Sequence, residues 1–206
     1  MNPTRFLVLS LGNPLPKYES LHSAGHIALN RLPQILGQPA FRQEKLGRVS
    51  CRISTGDKFT LIQSPTLMNV SGGFVDQIWK QMLSTHDASN LCLTVVHDEL
   101  EKDLGIVNLV QWDRSARGHN GMKDIFKRFH ADQYRREGSK LARISIGIGR
   151  PAARHSATVA DYVLRPITEG EREVLQDKVP LELHKSLQKL DNHWSLAADP
   201  SLGSKF

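Results

Sequence analysis

Apolar or β-branched residues run without a break from Leu91 to Val96. The run is too short for a helix and rich in Val and Thr, which predicts a strand covered on both faces of a sheet. Polar residues come only at its end, where His97, Asp98 and Glu99 follow directly. A carboxylate therefore leaves the carboxyl end of a central strand, where open α/β sheets place their ligands. A second buried strand, Phe6 to Leu11, also stops at a polar turn, Gly12-Asn13-Pro14-Leu15-Pro16. From Ser20 to Leu36, apolar residues recur at helical intervals (Leu21, Ala24, Ile27, Ala28, Leu32), with Pro33 as a kink or break. His22 falls near the start of that helix and His26 one turn later.

Alternation from Arg48 to Ile53 and from Phe59 to Gln63, around Ser54 to Lys58, predicts a hairpin with Gly56 in its turn. Thr66 to Asn69 reads as a short loop, and Ser71 as the N-cap of an amphipathic helix from Gly72 to Leu83. Beyond the central strand come a strand from Gly105 to Val110 and a polar loop from Trp112 to Arg117. Gly118-His119-Asn120-Gly121 then opens a short helix to Phe129. His130 to Lys140 is a charged connector, Ala142 to Gly149 a strand closed by glycines, and Ala157 to Leu164 a short apolar piece. Thr168 and Glu171 match a capping box before a helix through Asp177, and Pro180 separates it from a second helical run, Leu181 to Leu190. Strands alternating with helices argue for an α/β sandwich around a mixed sheet, a single domain over residues 1–194 with a flexible tail at 195–206.

Composition narrows the partners more than the fold. The 206 residues suffice for one full core, and 39% hydrophobic with 23% charged residues is ordinary for a globular protein. Lys and Arg number 27 against 21 Asp and Glu, and the pI is near 9.5, which favours polyanionic partners such as nucleic acid. Cys51 and Cys92 stand at no motif spacing, so neither a disulfide framework nor a cysteine metal site is expected. Phe6 to Leu11 is too short to span a membrane, and no leader pattern precedes it. A cytoplasmic or mitochondrial protein without membrane attachment is expected.

The candidate chemistry gathers at loop positions that follow strands or open helices: Asn13, His22, Asn69, Asp98 and Asn120. One histidine with a carboxylate and several amides, and no activated Ser or Cys motif, points to water activated by a His-Asp pair. Asp98 would hold one imidazole nitrogen as a donor and raise the basicity of the other, while the asparagines offer a donor and an acceptor to orient an ester or amide. This needs no metal and no cofactor. His22 and His26 could form an i,i+4 metal pair with Asp98, but the glutamate of the zinc-protease motif is missing. His26 reads as structural, His97 and His119 as braces for their loops, and Gly147 and Gly149 as tight strand packing.

At these residues the sequence resembles the bacterial-type peptidyl-tRNA hydrolases. Gly12-Asn13-Pro14, Tyr18 followed by His22-Ser23-Ala24-Gly25, Thr66 through Gly72, His97-Asp98-Glu99-Leu100, Gly118-His119-Asn120-Gly121 and Ile146-Gly147-Ile148-Gly149 occur in the family's order, between about Phe6 and about Leu164. The resemblance implies a monomeric three-layer sandwich with a twisted mixed sheet flanked by helices. It implies cleavage of the ester joining a peptide to the 3′ adenosine of tRNA, so that peptidyl-tRNA is the partner. By the same resemblance His22 is the general base and Asp98 supports it. Asn13 contacts the peptide and separates blocked from free aminoacyl groups, Asn69 and Asn120 bind the 3′ end and order the water, and Tyr18 and Leu67 line the tRNA side. Three departures stand out: Ser23 where many members have Asn, expected to weaken local hydrogen bonding; Asp113 to Arg117 in place of a glycine-rich loop; and Val110 where many members carry a basic residue. A basic edge of Arg117, Lys123, Lys127, Arg128, Arg135 and Arg136 beside Asn120 would then meet tRNA phosphates. A catalytically silent RNA-binding protein of the same fold and a small-ester hydrolase are the alternatives.

Overall fold

The computed structural model describes residues 4–47, 49–152 and 155–196. Among them, one sheet contains β1 (Arg5–Ser10), β2 (Arg42–Leu46), β3 (Val49–Thr55), β4 (Phe59–Gln63), β5 (Leu91–Glu99), β6 (Val107–Gln111) and β7 (Lys140–Gly147), in the spatial order β2-β3-β4-β1-β5-β7-β6. The four inner strands β4, β1, β5 and β7 are mutually parallel, whereas β2, β3 and β6 join antiparallel. Helices α1 (Ala24–Leu29), α2 (Leu32–Ile35), α3 (Ser71–Leu83), α4 (Asn120–Arg128), α5 (Ala131–Arg136), α6 (Ser156–Leu164), α7 (Glu169–Glu173) and α8 (Val179–Leu196) cover the two faces.

The expected continuous apolar run lies at the sheet's centre. Residues 91–98 of β5 are all buried, because Cys92 and Val96 face one apolar cluster while Leu91, Leu93 and Val95 face the other. The first cluster joins β1 and β5 to α1, α6 and α8, and the second joins them to α3, α4 and α5. Two helical layers therefore sandwich one mixed sheet, as expected. Because the inner strands run the same way, the chain leaves β1, β4, β5 and β7 at one edge, and the loops after them meet there.

Several boundaries differ from the sequence reading, each for a physical reason. The helix expected from Ser20 to Leu36 is broken into a 3-10 turn at Leu21–Ser23, then α1, then α2 with Pro33 in its first turn, where a missing N–H costs nothing. Strand β2 was not anticipated: its sequence Arg-Gln-Glu-Lys-Leu is polar up to Leu46, which an edge strand tolerates because it pairs with β3 alone. Ser71 is the first residue of α3 rather than its cap, and its hydroxyl donates to Met68 O. The connector from His130 contains α5. Pro180 does not separate two helices. A π-helical segment, Val174–Lys178, links α7 to α8, and Pro180 sits in the first turn of α8. The Thr168–Glu171 capping box is present. Helix α8 extends to Leu196, past the expected tail boundary at 195; residues 197–206 and Arg48, the expected first residue of the hairpin, lie outside the described residues.

Two glycines explain how closely the layers approach at the functional edge. A Cβ on Gly147 would overlap the carbonyl of Asp103, which accounts for the tight packing expected of that strand end. A Cβ on Gly12 would overlap the ring of His26. That ring cannot turn aside, since the Ser10 hydroxyl donates to its Nδ1 at 2.8 Å and its Nε2–H donates to Ser64 O at 3.1 Å. Gly12→Ala is therefore expected to lower the free energy of unfolding by about 1–3 kcal/mol, the usual range for overpacking. Urea denaturation would show a lower midpoint at constant m. An unchanged midpoint would mean that the ring yields without cost.

Candidate active site

The loops leaving β1, β4 and β5, together with the start of α4, surround a cleft of about 880 Å³. The turn after β1 carries Asn13, which is buried. Its backbone N–H donates to Ser23 Oγ at 3.0 Å, and its side-chain Oδ1 accepts the Met68 N–H at 3.0 Å. Because a backbone N–H can only donate, the amide oxygen faces Met68 and the Nδ2 donors are left to the cleft that Asn13 lines. Ser23 is fully buried and also donates toward Lys17 O, so its hydroxyl ties the turn to the start of α1.

His22 lies in the 3-10 turn, not on the α-helix. Its ring is turned toward β5, where Nδ1 stands 2.9 and 3.0 Å from the two carboxylate oxygens of Asp98. Nδ1–H therefore donates and Nε2 keeps its lone pair on the cleft side. Burial works against protonation of His22, but the Asp98 charge and hydrogen bond outweigh it and raise its pKa above the ordinary 6.5. Asp98 itself is only 3% exposed. Burial favours its neutral form, yet His22 and His119 overcome this and hold the carboxyl well below the usual range. His26, expected one turn after His22 on the same face, points away into the core. Burial pushes it down to about 3, and both its ring nitrogens are engaged, by the Ser10 hydroxyl and the Ser64 carbonyl, which leaves neither to join His22 at a metal.

His119 was expected only to brace its loop, and the structure gives it more. Its Nδ1 accepts the Met122 N–H at 3.2 Å, capping α4, and its Nε2–H donates to Asp98 Oδ1 at 3.0 Å. The only sequence signal was its place directly before Asn120. His97, expected to brace its loop, donates its Nδ1–H to the carbonyl of its neighbour Asp98 within β5 at 2.8 Å, and burial pushes the ring down to about 3.

His22, Asp98 and His119 bring ligand-type atoms within 4.8 Å of one another, so the trio was considered as a metal site. The donor chemistry does not fit. Each imidazole already directs a ring N–H at Asp98, and His119 would have to give up its Nε2 proton while Nδ1 remains occupied by Met122 N–H.

Of the other expected residues, Leu67, Asn69, Arg117, Asn120 and Lys123 line the cleft. Leu67 is 56% exposed at its rim. The structure does not bring Tyr18 there. Its ring stacks on His26 with centroids 5.7 Å apart, and its hydroxyl is held among Asn30, Gln63 and Arg52, a polar network that draws it to the far side of α1. Lys127 lies one turn beyond Lys123 and outside the cleft. The basic edge is partly neutralised: Arg128 pairs with Asp124, Arg135 with Asp113, and Arg117 with Glu99 at 3.8 Å. Val110 forms part of the cleft wall, and the sheet register sets it beside Arg143 of β7. Arg143 was not anticipated. It is 1% exposed, donates to the carbonyls of Gln111 and Arg114, and lies over the Phe126 ring.

The family model for peptidyl-tRNA hydrolase matches residues 7–195. A Lactococcus lactis peptidyl-tRNA hydrolase is 32% identical over 84% of this chain and 86% of its own length, and one from Rhodococcus erythropolis is 33% identical over 93% and 98%. Among solved structures, an Arg119Gln mutant of the Acinetobacter baumannii peptidyl-tRNA hydrolase covers 93% of this chain and 94% of its own, with a TM-score of 0.65 at 23% identity, a likeness of fold. A match that spans both helical layers and every loop around the cleft leaves one assignment: this chain belongs to the peptidyl-tRNA hydrolase family.

Proposed function

We propose that this chain hydrolyses the ester between a peptide, or an N-blocked aminoacyl group, and the 3′ end of tRNA, and that a water activated by His22 is the nucleophile. One observation carries the mechanism: a cleft-lining imidazole whose Nδ1–H is fixed by a buried carboxylate, leaving Nε2 to take a proton. In the step, water attacks the ester carbonyl while its proton passes to His22 Nε2. The imidazolium then faces Asp98, and on collapse that proton goes to the leaving ribose oxygen, giving free peptide and tRNA. Asn13 supplies selectivity. With Oδ1 engaged by Met68, it offers the cleft only N–H donors, which suit a peptide carbonyl and cannot accept from a free α-ammonium group. Asn69 and Asn120, which line the same cleft, hold the 3′ end, and Arg117 and Lys123 meet phosphates beyond it. The chain does this as a monomer; no helix among the described residues is long and apolar enough to cross a membrane.

His22→Ala should reduce kcat by about 100- to 10,000-fold with little change in melting temperature, since no neighbour can take over as base. Assay against N-acetyl-aminoacyl-tRNA decides this, and retention of more than half the activity by a folded variant would remove His22 from the mechanism. Free aminoacyl-tRNA should be a poor substrate for the wild type.

The pH profile tests the pairing separately. Activity needs neutral His22, so the acid limb of kcat/KM should fall above pH 6.5, where Asp98 places the imidazole. Asp98→Asn removes the influence that raises the pKa and leaves burial, which lowers it. Its acid limb should therefore move to lower pH as kcat falls. A limb moving upward would contradict the assignment.

Lys123 enters the cleft unpaired by any described carboxylate, whereas Arg128 is held by Asp124. Lys123→Ala should therefore reduce the slope of log affinity for peptidyl-tRNA against log salt by about 0.7 to 0.9, and Arg128→Ala by less. Equal slopes in wild type and the Lys123 variant would leave that lysine as solvated surface.

A further inference from the structure

We propose that His119 is a positioning residue for the reaction, acting through Asp98 on His22, and that the cap of α4 is what aims it. The inference rests on reading His22 as the base. Three observations carry it. The Met122 N–H can only donate, so His119 Nδ1 bears a lone pair and the ring proton sits on Nε2, directed at Asp98 Oδ1. The same Oδ1 also accepts from His22, so one carboxylate oxygen is shared by the two rings, whose centroids lie 5.1 Å apart. Finally, the His119 ring cannot drift: its side chain is 7% exposed, its edge meets the His97 ring at 5.0 Å, and α4 is fastened to the start of α3 by Gly72 N–H donating to Asp124 Oδ2 at 2.7 Å.

The chemical need for a second donor follows from the base form of the pair. When His22 is neutral and ready to accept a proton, Asp98 is a buried anion facing an uncharged ring. Burial then favours neutralising the carboxylate, and a single neutral N–H offsets little of that cost. A second N–H from His119 keeps Asp98 ionised in that state and fixes the rotation of its carboxylate, so that Nδ1 of His22 stays the donor and Nε2 the acceptor. It also limits how strongly Asp98 retains the imidazolium, so that His22 releases its proton to the leaving group. The other ionisable groups around the trio leave this role open: His97 is bonded to backbone, Glu99 pairs with Arg117, and Arg143 is engaged by carbonyls at the end of β6 and in the loop after it.

Two substitutions separate the cap from the contact. In His119→Asn the amide oxygen takes the place of Nδ1 and continues to cap α4, but the side chain is too short to reach Asp98. In His119→Gln the amide nitrogen takes the place of Nε2 and can donate to Asp98, while the cap is lost. For His119→Asn we expect a nearly unchanged melting temperature, a kcat lower by about 10- to 100-fold, and an acid limb of kcat/KM raised by roughly half a pH unit or more, because Asp98 turns its freed charge on His22. NMR titration of the His22 ring should move by the same amount. His119→Gln should restore the wild-type limb and most of kcat, with a melting temperature lower by about 2–4 °C. If His119→Asn does not fold, His119→Ser, also a capping residue too short for Asp98, takes its place. A His22 titration and acid limb that stay at wild-type values in the Asn or Ser variant, with kcat within twofold, would reduce His119 to a helix cap and overturn the proposal. If instead the His22 titration moves while the rate profile does not, the contact stands and His22 as the base is what fails.

Discussion

A carboxylate that is almost fully buried has to be compensated, and the arrangement of the functional edge follows from how Asp98 is. It stands near the end of the central strand, where little of it meets water, and an unpaired charge there would cost several kcal/mol. The compensation comes from two segments distant in sequence, the 3-10 turn at His22 and the cap of α4 at His119. Each brings its own load into the cleft: the first the turn carrying Asn13, through Ser23, and the second Asn120 and Lys123. Satisfying one buried anion thus assembles both walls of the site. The same demand explains why α4 is pinned to the 3-10 turn at Met68–Val70 and to α3, since slack there would be felt as an unpaired charge.

The sheet and the position of the site were legible because they depend on signals that burial writes directly into sequence. An apolar run ending abruptly in polar residues, at both Leu11 and Val96, marks inner strands whose carboxyl ends share an edge. What escaped notice depends on signals that burial does not write. β2 is polar except at Leu46 because an edge strand need bury little of either face. The break before α1 replaces an α-helical turn by a 3-10 turn, and no residue between Ser20 and Ala24 forbids a helix. Yet that change of pitch is what lets His22 face β5 while His26, four residues on, faces the core. His119 escaped for another reason: its role depends on which nitrogen carries the proton, and that is decided by a backbone N–H three residues later. The Tyr18 expectation failed similarly, because the partners that hold its hydroxyl lie at the C-cap of α1 and on β3 and β4, where no local pattern announces them.

The charges around the cleft divide by whether another charge already holds them. Arg128 and Arg135 have close carboxylate partners, and exposed pairs of that kind add little to stability, so their main effect is to remove net charge from the rim, whereas Arg117 stands 3.8 Å from Glu99 in a looser pair. Lys123 brings its charge to the cleft without such a partner. Arg143 is different again. Buried against Phe126 and bound to loop carbonyls, with burial lowering its pKa to about 10, it serves to hold the segment from Gln111 to Arg114 over the sheet. Excess basic residues in the composition therefore overstate the charge available to an anionic partner, and the unpaired lysine at the start of α4 matters more than its neighbours.

Three histidines near this edge show that surroundings, not residue type, decide which can act as a base. His26 and His97 are both buried and bonded only to neutral groups, the Ser10 hydroxyl and the carbonyls of Ser64 and Asp98. Nothing there repays the cost of an imidazolium, and both are held near 3. Their surroundings favour the neutral ring, and their contacts organise packing. His22 is also largely buried, yet its partner is an anion, and the balance reverses. A ring held above the ordinary imidazole value is basic enough to take a proton from water, whereas one held near 3 is a far weaker base. The difference between His22, the proposed base, and the two scaffold histidines thus comes down to a single carboxylate, and the fold spends its central strand on placing it.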